Sequence, residues 1–363
     1  MPMGTGANGC GNLGMPKNTI ENSPENLIGF VPRGGYDQLL ENMGWNNVVI
    51  YPIPSDASNR RYFRISAGDK NAILMDAPPG LEDVNAFIKI ARHLKDLGFS
   101  APEIFGENIA DGFLLLEDLG KETFTVSLQK GIDEKKLYTL GVDALAALHN
   151  IASEKTSPPW LEKYSNEKLL LETSLFPDWY MPGVGINISD GERKKYDALW
   201  LEVFSKTQST NPTLVLRDFH VDNLVLLDER AGVNACGLLD FQDGVSGHPA
   251  YDLMSLLEDA RRDIKPELKT EMLARYHEKT ATKNIDDFAR AFAILGAGRH
   301  AKVIGIFTRL FVRDNKPVYL KHISRVWGLL EQSLLHPDLT NLKNWFDKNV
   351  PLEKRITPGN ESL

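Results

Sequence analysis

Three polar residues in the second half of the chain have the types and spacing that phosphoryl transfer requires. Asp218 is followed five residues later by Asn223, and Asp240 follows the apolar run Gly237–Leu239. An Asp in a loop can accept the proton of an attacking hydroxyl, while Asn and Asp oxygens are the hard ligands that Mg²⁺ prefers. The pattern predicts a catalytic base, Asp218, and a magnesium site formed by Asn223 and Asp240.

A chance match is the competing interpretation, because an Asp with an Asn five positions later is a short pattern. Asp218 could instead cap a turn and Asp240 could cap a helix. Three features favour the catalytic interpretation: both acids follow apolar strands, they come in the order that phosphoryl transfer uses, and a β-rich segment precedes them.

The segment before residue 120 predicts a small sheet with one helix. A short helix is expected at 36–43, and the sequence Ala67–Lys70 between two apolar runs predicts a hairpin turn. Apolar residues on one helical face follow at Val84, Phe87, Ile88, Ala91 and Leu94. The predicted strands are 47–53, 60–66, 71–77 and 113–117.

From about residue 133 the apolar spacing becomes helical, and the first apolar stripe ends at His149. A helical segment after a sheet segment is typical of an α+β protein. Further helices are predicted at 191–205, 251–263, 266–280, 286–310 and 318–335, with short strands at 214–216, 224–227 and 237–239.

These patterns divide the chain into four expected segments. Residues 1–35 carry eight glycines without periodicity, which predicts a flexible extension. Within them Gly9–Gly14 spells G-x-G-x-x-G, but no strand precedes it, so we do not expect it to bind phosphate. The other segments are a nucleotide-binding lobe (36–120), a helical catalytic and acceptor-binding lobe (121–345) and a C-terminal tail (346–363).

The motif residues resemble the aminoglycoside phosphotransferase superfamily, which also includes choline and homoserine kinases. The resemblance rests on Asp218–Asn223, Leu239–Phe241 and His248–Leu253, although Leu216 and Arg217 stand where the family has His and Gly. It implies a two-lobed protein-kinase-like fold that uses ATP and Mg²⁺. Asp252 lies in the first turn of a predicted amphipathic helix, where an acid favours the helix dipole, so we expect it to have a structural role such as bracing the catalytic loop.

A narrower resemblance covers about residues 50–335 and points to the bacterial anomeric kinases of N-acetylmuramate and N-acetylglucosamine. It implies phosphorylation of C1 of amino sugars salvaged from the cell wall. The segments that carry it are Ser55–Arg64, Met75–Pro79, Asp178–Tyr180, Asp240–Asp243 and Gly305–Leu310.

The resemblance also implies where the nucleotide binds. The backbone of Glu117 and Leu119 would bind adenine, but the strand Lys that ordinarily contacts the phosphates is missing from Ile73–Asp76. Either an arginine of the adjacent strand replaces it, or metal and backbone groups hold the phosphates; a solvated strand edge is the alternative use of these arginines. The candidates are Ser58, Arg60, Arg61 and Arg64.

Four residues are candidates for contact with the acceptor. Trp179 and Tyr180 lie in a loop-like stretch and could stack on a sugar ring, although aromatic residues are more often core. Arg299 and Lys302 belong to a basic helical stripe that continues to Arg309 and Arg313 and could receive a carboxylate. A solvated face is the alternative for at least two of the four.

The composition is ordinary for a globular protein, with 42% hydrophobic and 25% charged residues. The net charge of -8 gives no basic field for nucleic acid, and no apolar run is long enough for a membrane span. Two distant cysteines, Cys10 and Cys236, and an N-terminus unlike a signal peptide predict a cytoplasmic protein. The sequence does not predict the oligomeric state.

Three rival functions stay open at this point. An aminoglycoside or another small hydroxyl compound could be the acceptor, and the missing strand Lys is compatible with a catalytically silent binding module. A hydrolase is disfavoured, because Gly244–His248 matches a G-x-S-x-G nucleophile elbow except at His248.

Overall fold

A computed structural model of the chain describes residues 31–54 and 59–359, together with the backbone of Thr19–Ile20. The chain divides into two compact units. The first contains the described residues up to Ala91 together with Pro102–Leu119, and the second contains Arg92–Ala101 together with the described residues from Gly120 onward. The boundary after Leu119 lies one residue before the one expected from the sequence.

The first unit contains a mainly antiparallel sheet. Its strands are β1 (Thr19–Ile20), β2 (Val49–Ile53), β3 (Arg61–Ala67), β4 (Lys70–Asp76), β5 (Ile104–Asn108) and β6 (Phe113–Leu116). They lie in the order β1-β2-β3-β4-β6-β5, and only β1 is parallel to its neighbour β2. Helix α1 (Tyr36–Asn42) packs its Leu39 and Leu40 into a core with Phe63 and Ile65 of β3. Helix α2 (Val84–Asp96) begins in this unit and ends in the second.

The hairpin predicted at Ala67–Lys70 is confirmed, since these two residues pair across the turn. Strand β5 was missed, because only alternate residues of it are half-buried and Gly106 interrupts its register with β6. Part of the expected extension 1–35 is also structured. Thr19–Ile20 form β1, and Arg33 binds the buried Asp76; the run Gly9–Gly14 lies outside the described residues.

The second unit is mainly helical, as predicted. Its helices are α3 (Phe124–Gln129), α4 (Glu134–His149), α5 (Ser153–Thr156), α6 (Asn166–Thr173), α7 (Met181–Gly183), α8 (Asp190–Ser205), α9 (Ala250–Leu257), α10 (Pro266–Thr280), α11 (Ile285–Asp314), α12 (Ile323–Ser333) and α13 (Thr340–Asn349). A π-helical turn, Phe176–Tyr180, precedes α7, and 3₁₀ turns occupy Gly232–Ala235, Pro317–His322, Pro337–Leu339 and Leu352–Lys354.

Two small antiparallel sheets interrupt the helices: β7 (Thr213–Val215) pairs with β10 (Val245–Gly247), and β8 (Leu224–Leu226) pairs with β9 (Cys236–Leu238). All the residues of β7, β8 and β9 are buried. The loop between β7 and β8 contains Asp218, and Asp240 follows the end of β9. These short strands therefore fix the backbone on both sides of the predicted catalytic residues.

The expected C-terminal tail is wrong. Residues 346–359 pack into the second unit: Phe346 and Val350 are fully buried, and the hydroxyl oxygen of Tyr180 lies 2.8 Å from the carbonyl oxygens of Lys354 and Ile356. Phe346 of α13 packs edge-to-face on Phe176 of the π-helical turn, with 5.2 Å between the ring centroids.

Gly305 permits α11 to pack against the start of the π-helical turn. A Cβ atom at this position would overlap the carbonyl group of Leu175. We predict that Gly305→Ala lowers the free energy of unfolding by about 1–3 kcal/mol, the usual cost of overpacking. Thermal and urea unfolding would measure this change.

Gly328→Ala is the matched control, because Gly328 also lies inside a helix but a Cβ atom there would meet nothing within 4 Å. It should leave stability equal or raise it by up to about 1 kcal/mol through helix propensity. Equal stability of the two variants would contradict the close contact at Gly305.

Candidate active site

The loop that contains Asp218 is closed by its own hydrogen bonds. The backbone N–H of Asp218 donates to the Leu216 carbonyl, and that of Asn223 donates to the His220 carbonyl, both at 2.9 Å. The Asn223 side chain adds a third bond, from Nδ2 to the Asp218 carbonyl, at 2.9 Å. The spacing of five residues therefore lets Asn223 fix the backbone of Asp218 directly.

Asp252, in the first turn of α9, braces this loop from the protein interior. Its side chain is fully buried, and its two oxygens accept the N–H groups of Leu216 at 2.6 Å and Arg217 at 2.9 Å. Burial, partly offset by these two donors, raises the pKa of Asp252 to about 7. The structural role expected for Asp252 is confirmed.

The Asp218 carboxylate is reachable from solvent, with 38% of its side chain exposed. Arg299 of α11 approaches it, with 3.5 Å between Nη2 and Oδ1, and Arg299 Nε donates to Ser255 Oγ at 3.0 Å. Partial burial disfavours the charge, but Arg299 and then Lys302 outweigh this effect and hold the pKa of Asp218 below its usual value. The carboxylate is therefore ionised and able to accept a hydrogen bond at neutral pH.

Asn223 and Asp240 lie side by side, with 3.4 Å between Asn223 Nδ2 and Asp240 Oδ2. The Asp240 carboxylate is exposed and is oriented by Gln242 Nε2, which donates to Oδ1 at 2.9 Å. Both side chains carry oxygen atoms, and Mg²⁺ is commonly held by one or two such ligands together with substrate phosphates. The predicted pair therefore fits a magnesium ion, although among the described residues no three His, Cys, Asp or Glu side chains form a cluster suited to a metal.

A second polar cluster lies beside the loop and was not predicted. Glu172 of α6 accepts from Arg217 Nη2, from Lys302 Nζ at 3.1 Å and from the hydroxyl of Tyr164 at 2.5 Å. Burial disfavours its charge, but Lys302 and Arg217 hold the pKa of Glu172 below its usual value. Glu172 and Tyr164 are separated from the motif by many residues, so no spacing in the sequence relates them to it.

The predicted basic stripe on α11 divides into two halves. Arg299 and Lys302 are buried, and each already contacts a carboxylate, Asp218 and Glu172 respectively. Arg313 is exposed and pairs with Asp314, as a solvated face would require. Contact of Arg299 or Lys302 with an acceptor stays a prediction.

The prediction for Tyr180 is wrong. Its ring is fully buried and stacks on Phe176 with 5.0 Å between ring centroids, so it cannot receive a sugar. The stretch read as a loop is a π-helical turn, which turns Tyr180 into the aromatic core. Trp179 is half-buried, and its contact with an acceptor stays a prediction.

The candidate arginines of the first unit each contact a carboxylate. Arg64 forms two bonds with Asp118, at 2.5 and 2.9 Å, while Arg61 binds the buried Asp76. Arg60 lies 3.6 Å from Glu82. Binding of phosphate by any of them would require exchange or sharing of these partners and stays a prediction. Ser58 lies outside the described residues.

The predicted adenine-binding segment follows β6. The Glu117 N–H donates to the Glu103 carbonyl at 2.8 Å, and its side chain accepts the Glu103 N–H at 3.1 Å. These bonds fix the segment to the residue that precedes β5, so a nucleobase would have to use other backbone groups, such as the Leu119 N–H.

Ser246 does not lie on a nucleophile elbow. It is inside β10, is buried, and its hydroxyl is bonded to that of Ser157. An elbow serine has to sit on a strand-to-helix turn, so the geometry argues against the hydrolase alternative.

The profile of the phosphotransferase enzyme family matches residues 49–291. The chain belongs to the phosphotransferase enzyme family. The family match begins with β2 and ends inside α11, so it includes Asp218, Asn223 and Asp240. The predicted phosphotransferase activity class is thereby confirmed.

Two bacterial proteins named N-acetylmuramate/N-acetylglucosamine kinase are similar to this phosphotransferase over most of its length. The protein of Caulobacter vibrioides is 33% identical over 348 residues, which cover 87% of this chain and 96% of that protein. The protein of Pseudomonas aeruginosa is 34% identical over 316 residues, which cover 84% of this chain and 90% of that protein. The predicted resemblance is confirmed.

Solved structures confirm the predicted fold of this phosphotransferase, the two-lobed protein-kinase-like α+β fold. An ADP-bound aminoglycoside phosphotransferase, APH(2'')-Ib, matches with a TM-score of 0.54 at 16% identity, over 83% of this chain and 97% of that one. A choline kinase from Cryptosporidium parvum matches with a TM-score of 0.54 at 12% identity, over 86% of this chain and 96% of that one. In the part of the phosphotransferase that the structure describes, no helix is long and apolar enough to cross a bilayer.

The raised pKa of Asp252 predicts a pH-dependent contribution to stability. Because the folded protein holds this proton up to about pH 7, whereas an unfolded Asp loses it near its ordinary value of 3.8, this contribution declines as the pH rises between the two values. Asp252→Asn cannot titrate, so the stability difference between wild type and variant should decline from pH 5 to pH 7. Above about pH 8 it should be constant.

Urea unfolding of both proteins at a series of pH values would measure this difference. A difference that is independent of pH would contradict the raised pKa of Asp252.

Proposed function

We propose that this phosphotransferase transfers the γ-phosphoryl group of ATP, with Mg²⁺, to the C1 hydroxyl of N-acetylmuramate or N-acetylglucosamine. The observation that supports this most strongly is the identity of 33–34% to two kinases named for these sugars, over 84–87% of the chain. Such an activity would serve the recycling of cell-wall sugars in the cytoplasm.

In this proposal Asp218 is the catalytic base. Its partly exposed, ionised carboxylate would accept a hydrogen bond from the acceptor hydroxyl and take its proton late in the transfer. An anomeric hydroxyl is more acidic than an ordinary sugar alcohol, so a carboxylate with a low pKa suffices. Arg299 and the brace from Asp252 would keep the carboxylate and its backbone in place.

Asn223 and Asp240 would hold Mg²⁺ through their side-chain oxygens. The Asn223 side chain contacts the Asp218 carbonyl and the Asp240 carboxylate through Nδ2, so Oδ1 is the atom that would bind the ion. When bound, the ion would neutralise negative charge that develops on the transferred phosphate.

We infer that the first unit binds ATP through the backbone of Glu117 and Leu119. Ser58 and one of Arg60, Arg61 and Arg64 would replace the missing strand Lys. Arg61 is the least suited of the three arginines, because it neutralises the fully buried Asp76.

The acceptor would bind in the helical unit. Trp179 is the remaining aromatic candidate for contact with the sugar ring, and Arg299 or Lys302 would face the carboxylate of N-acetylmuramate. Because Asp218 and Glu172 already partner these two cations, a substrate carboxylate would share them rather than meet a free charge.

We expect Asp218→Asn to lower kcat by on the order of 10²-fold or more, because the amide cannot accept the proton. ATP affinity should change little.

Asp240→Ala should instead lose the Mg²⁺-dependent part of nucleotide binding, measured by calorimetry with Mg²⁺ and with EDTA. Asp228→Ala is the control, since this exposed acid lies on the connection after β8. Near-normal turnover of Asp218→Asn would refute the assignment of the base.

The acceptor is tested by comparing turnover on N-acetylmuramate, N-acetylglucosamine, kanamycin and choline with ATP and Mg²⁺ under one set of conditions. We expect turnover on the two amino sugars, with the product identified as a C1 phosphate by NMR. Preference for kanamycin or choline, or phosphate on another hydroxyl, would overturn the acceptor but not the phosphotransferase. Nucleotide binding without turnover of any acceptor would indicate the silent binding module.

A further inference from the structure

Arg217 adopts a backbone conformation that an Arg side chain disfavours. Its φ angle is 70°, in the left-handed region where glycine is the natural residue. Glycine would fit here without strain, so the presence of Arg needs an explanation from its side chain. Strained residues of this kind are often found where a site needs a fixed geometry.

The guanidinium group of Arg217 joins three parts of the second unit. Nη2 binds Glu172 of α6, and Nη1 donates to the carbonyl of Asp243, in the segment that follows Asp240, at 3.2 Å. The guanidinium carbon lies 5.6 Å from the centroid of the Tyr164 ring, and only 14% of the side chain is exposed. One side chain therefore connects the catalytic loop, the segment after Asp240 and α6.

The partners of Arg217 are themselves held in place. Glu172 also binds Lys302 of α11 and the hydroxyl of Tyr164, and Tyr164 is bonded through its backbone to Ser246 of β10. A planar guanidinium with two fixed partners has little freedom to rotate. Movement of the loop relative to α6 or to the segment after Asp240 would break at least one of these bonds.

The backbone of the loop does not need this side chain. The N–H groups of Leu216 and Arg217 are bound by Asp252, and glycine at position 217 would keep both bonds. The Arg217 side chain is therefore not needed to close the loop; it orients the closed loop relative to its neighbours.

We propose that Arg217 is a positioning residue that holds the Asp218 loop at a fixed distance from the Asp240 segment and from α6. The proposal rests on the proposed function in that Asp218 and Asp240 act on the same transfer. Arg217 touches neither acceptor nor nucleotide in this proposal; it acts through the backbone on which both acids are carried.

Arg217→Gly is the decisive variant, because it removes the guanidinium and relieves the backbone at once. We expect kcat to fall by about 10–100-fold, as small misplacements of catalytic groups do. The KM for ATP should stay within about twofold, because the nucleotide contacts are not altered. The melting temperature should change little, because relief of the positive φ offsets the loss of the bonds to Glu172 and Asp243. The kcat of Arg217→Lys should lie between those of the wild type and Arg217→Gly, since one ammonium group cannot bind both Glu172 and the Asp243 carbonyl.

Ala281→Gly is the matched control. Ala281, at the C-terminal end of α10, has a φ of 47°, so glycine relieves a similar strain away from the catalytic loop. It should raise or keep the melting temperature and leave kcat unchanged.

Amide hydrogen exchange gives a readout that does not depend on any substrate. In Arg217→Gly the amides of Asp218 and Asn223, which are bonded within the loop, should exchange faster than in wild type, while the global stability is retained. In Ala281→Gly they should not change.

Unchanged kcat together with unchanged loop exchange in Arg217→Gly would overturn the proposal, and so would a loss of kcat that merely follows a lower melting temperature. Failure of the proposed function would already be seen in the wild-type protein, as absence of turnover on the amino sugars. In that case the exchange of the loop amides still decides whether Arg217 positions the loop.

Discussion

The geometry of this site depends on one buried carboxylate. Asp252 is fully buried and accepts two backbone N–H groups where the chain leaves β7 and turns. Without an acceptor, each of these donors would cost about 1–3 kcal/mol, because water cannot reach them. The turn at Arg217, and with it the outward direction of Asp218, is therefore tied to α9.

Helix α9 extends this control one turn further along the same face. Ser255, three residues after Asp252, donates to the Arg217 carbonyl at 3.4 Å and accepts from Arg299 Nε at 3.0 Å. Arg299 in turn approaches the Asp218 carboxylate. One face of α9 thus fixes the main chain of the loop. Through Arg299 of α11 it also stabilises the negative charge of Asp218. The Asp218 carboxylate therefore stays ionised, although its neighbours are mostly buried.

The sequence predicted what depends on local order and missed what depends on packing. Asp218, Asn223 and Asp240 could be found because short apolar strands next to a polar residue leave a local pattern, and the long helix α11 left a clear one too. Glu172 could not be found, since it precedes Arg217 by 45 residues and an acid on a helix surface looks the same whether or not it is later buried. Tyr180 was misread for a similar reason, because an aromatic in an irregular stretch does not reveal whether a π-helical turn will direct it inward.

The pair of arginines on Asp76 has a consequence for how the chain can be shortened. The Asp76 carboxylate has no exposed surface and is shared by Arg61 and Arg33, and Arg33 also donates to the Asp111 carbonyl at 2.6 Å. A truncated protein that starts at Tyr36, where the first helix begins, would keep every strand from β2 to β6 but lose Arg33. One buried carboxylate would then face a single arginine, and the gap left over Phe113 would admit water to the end of β4. The minimal sheet unit therefore begins before its first helix, at the residues that neutralise its buried acid.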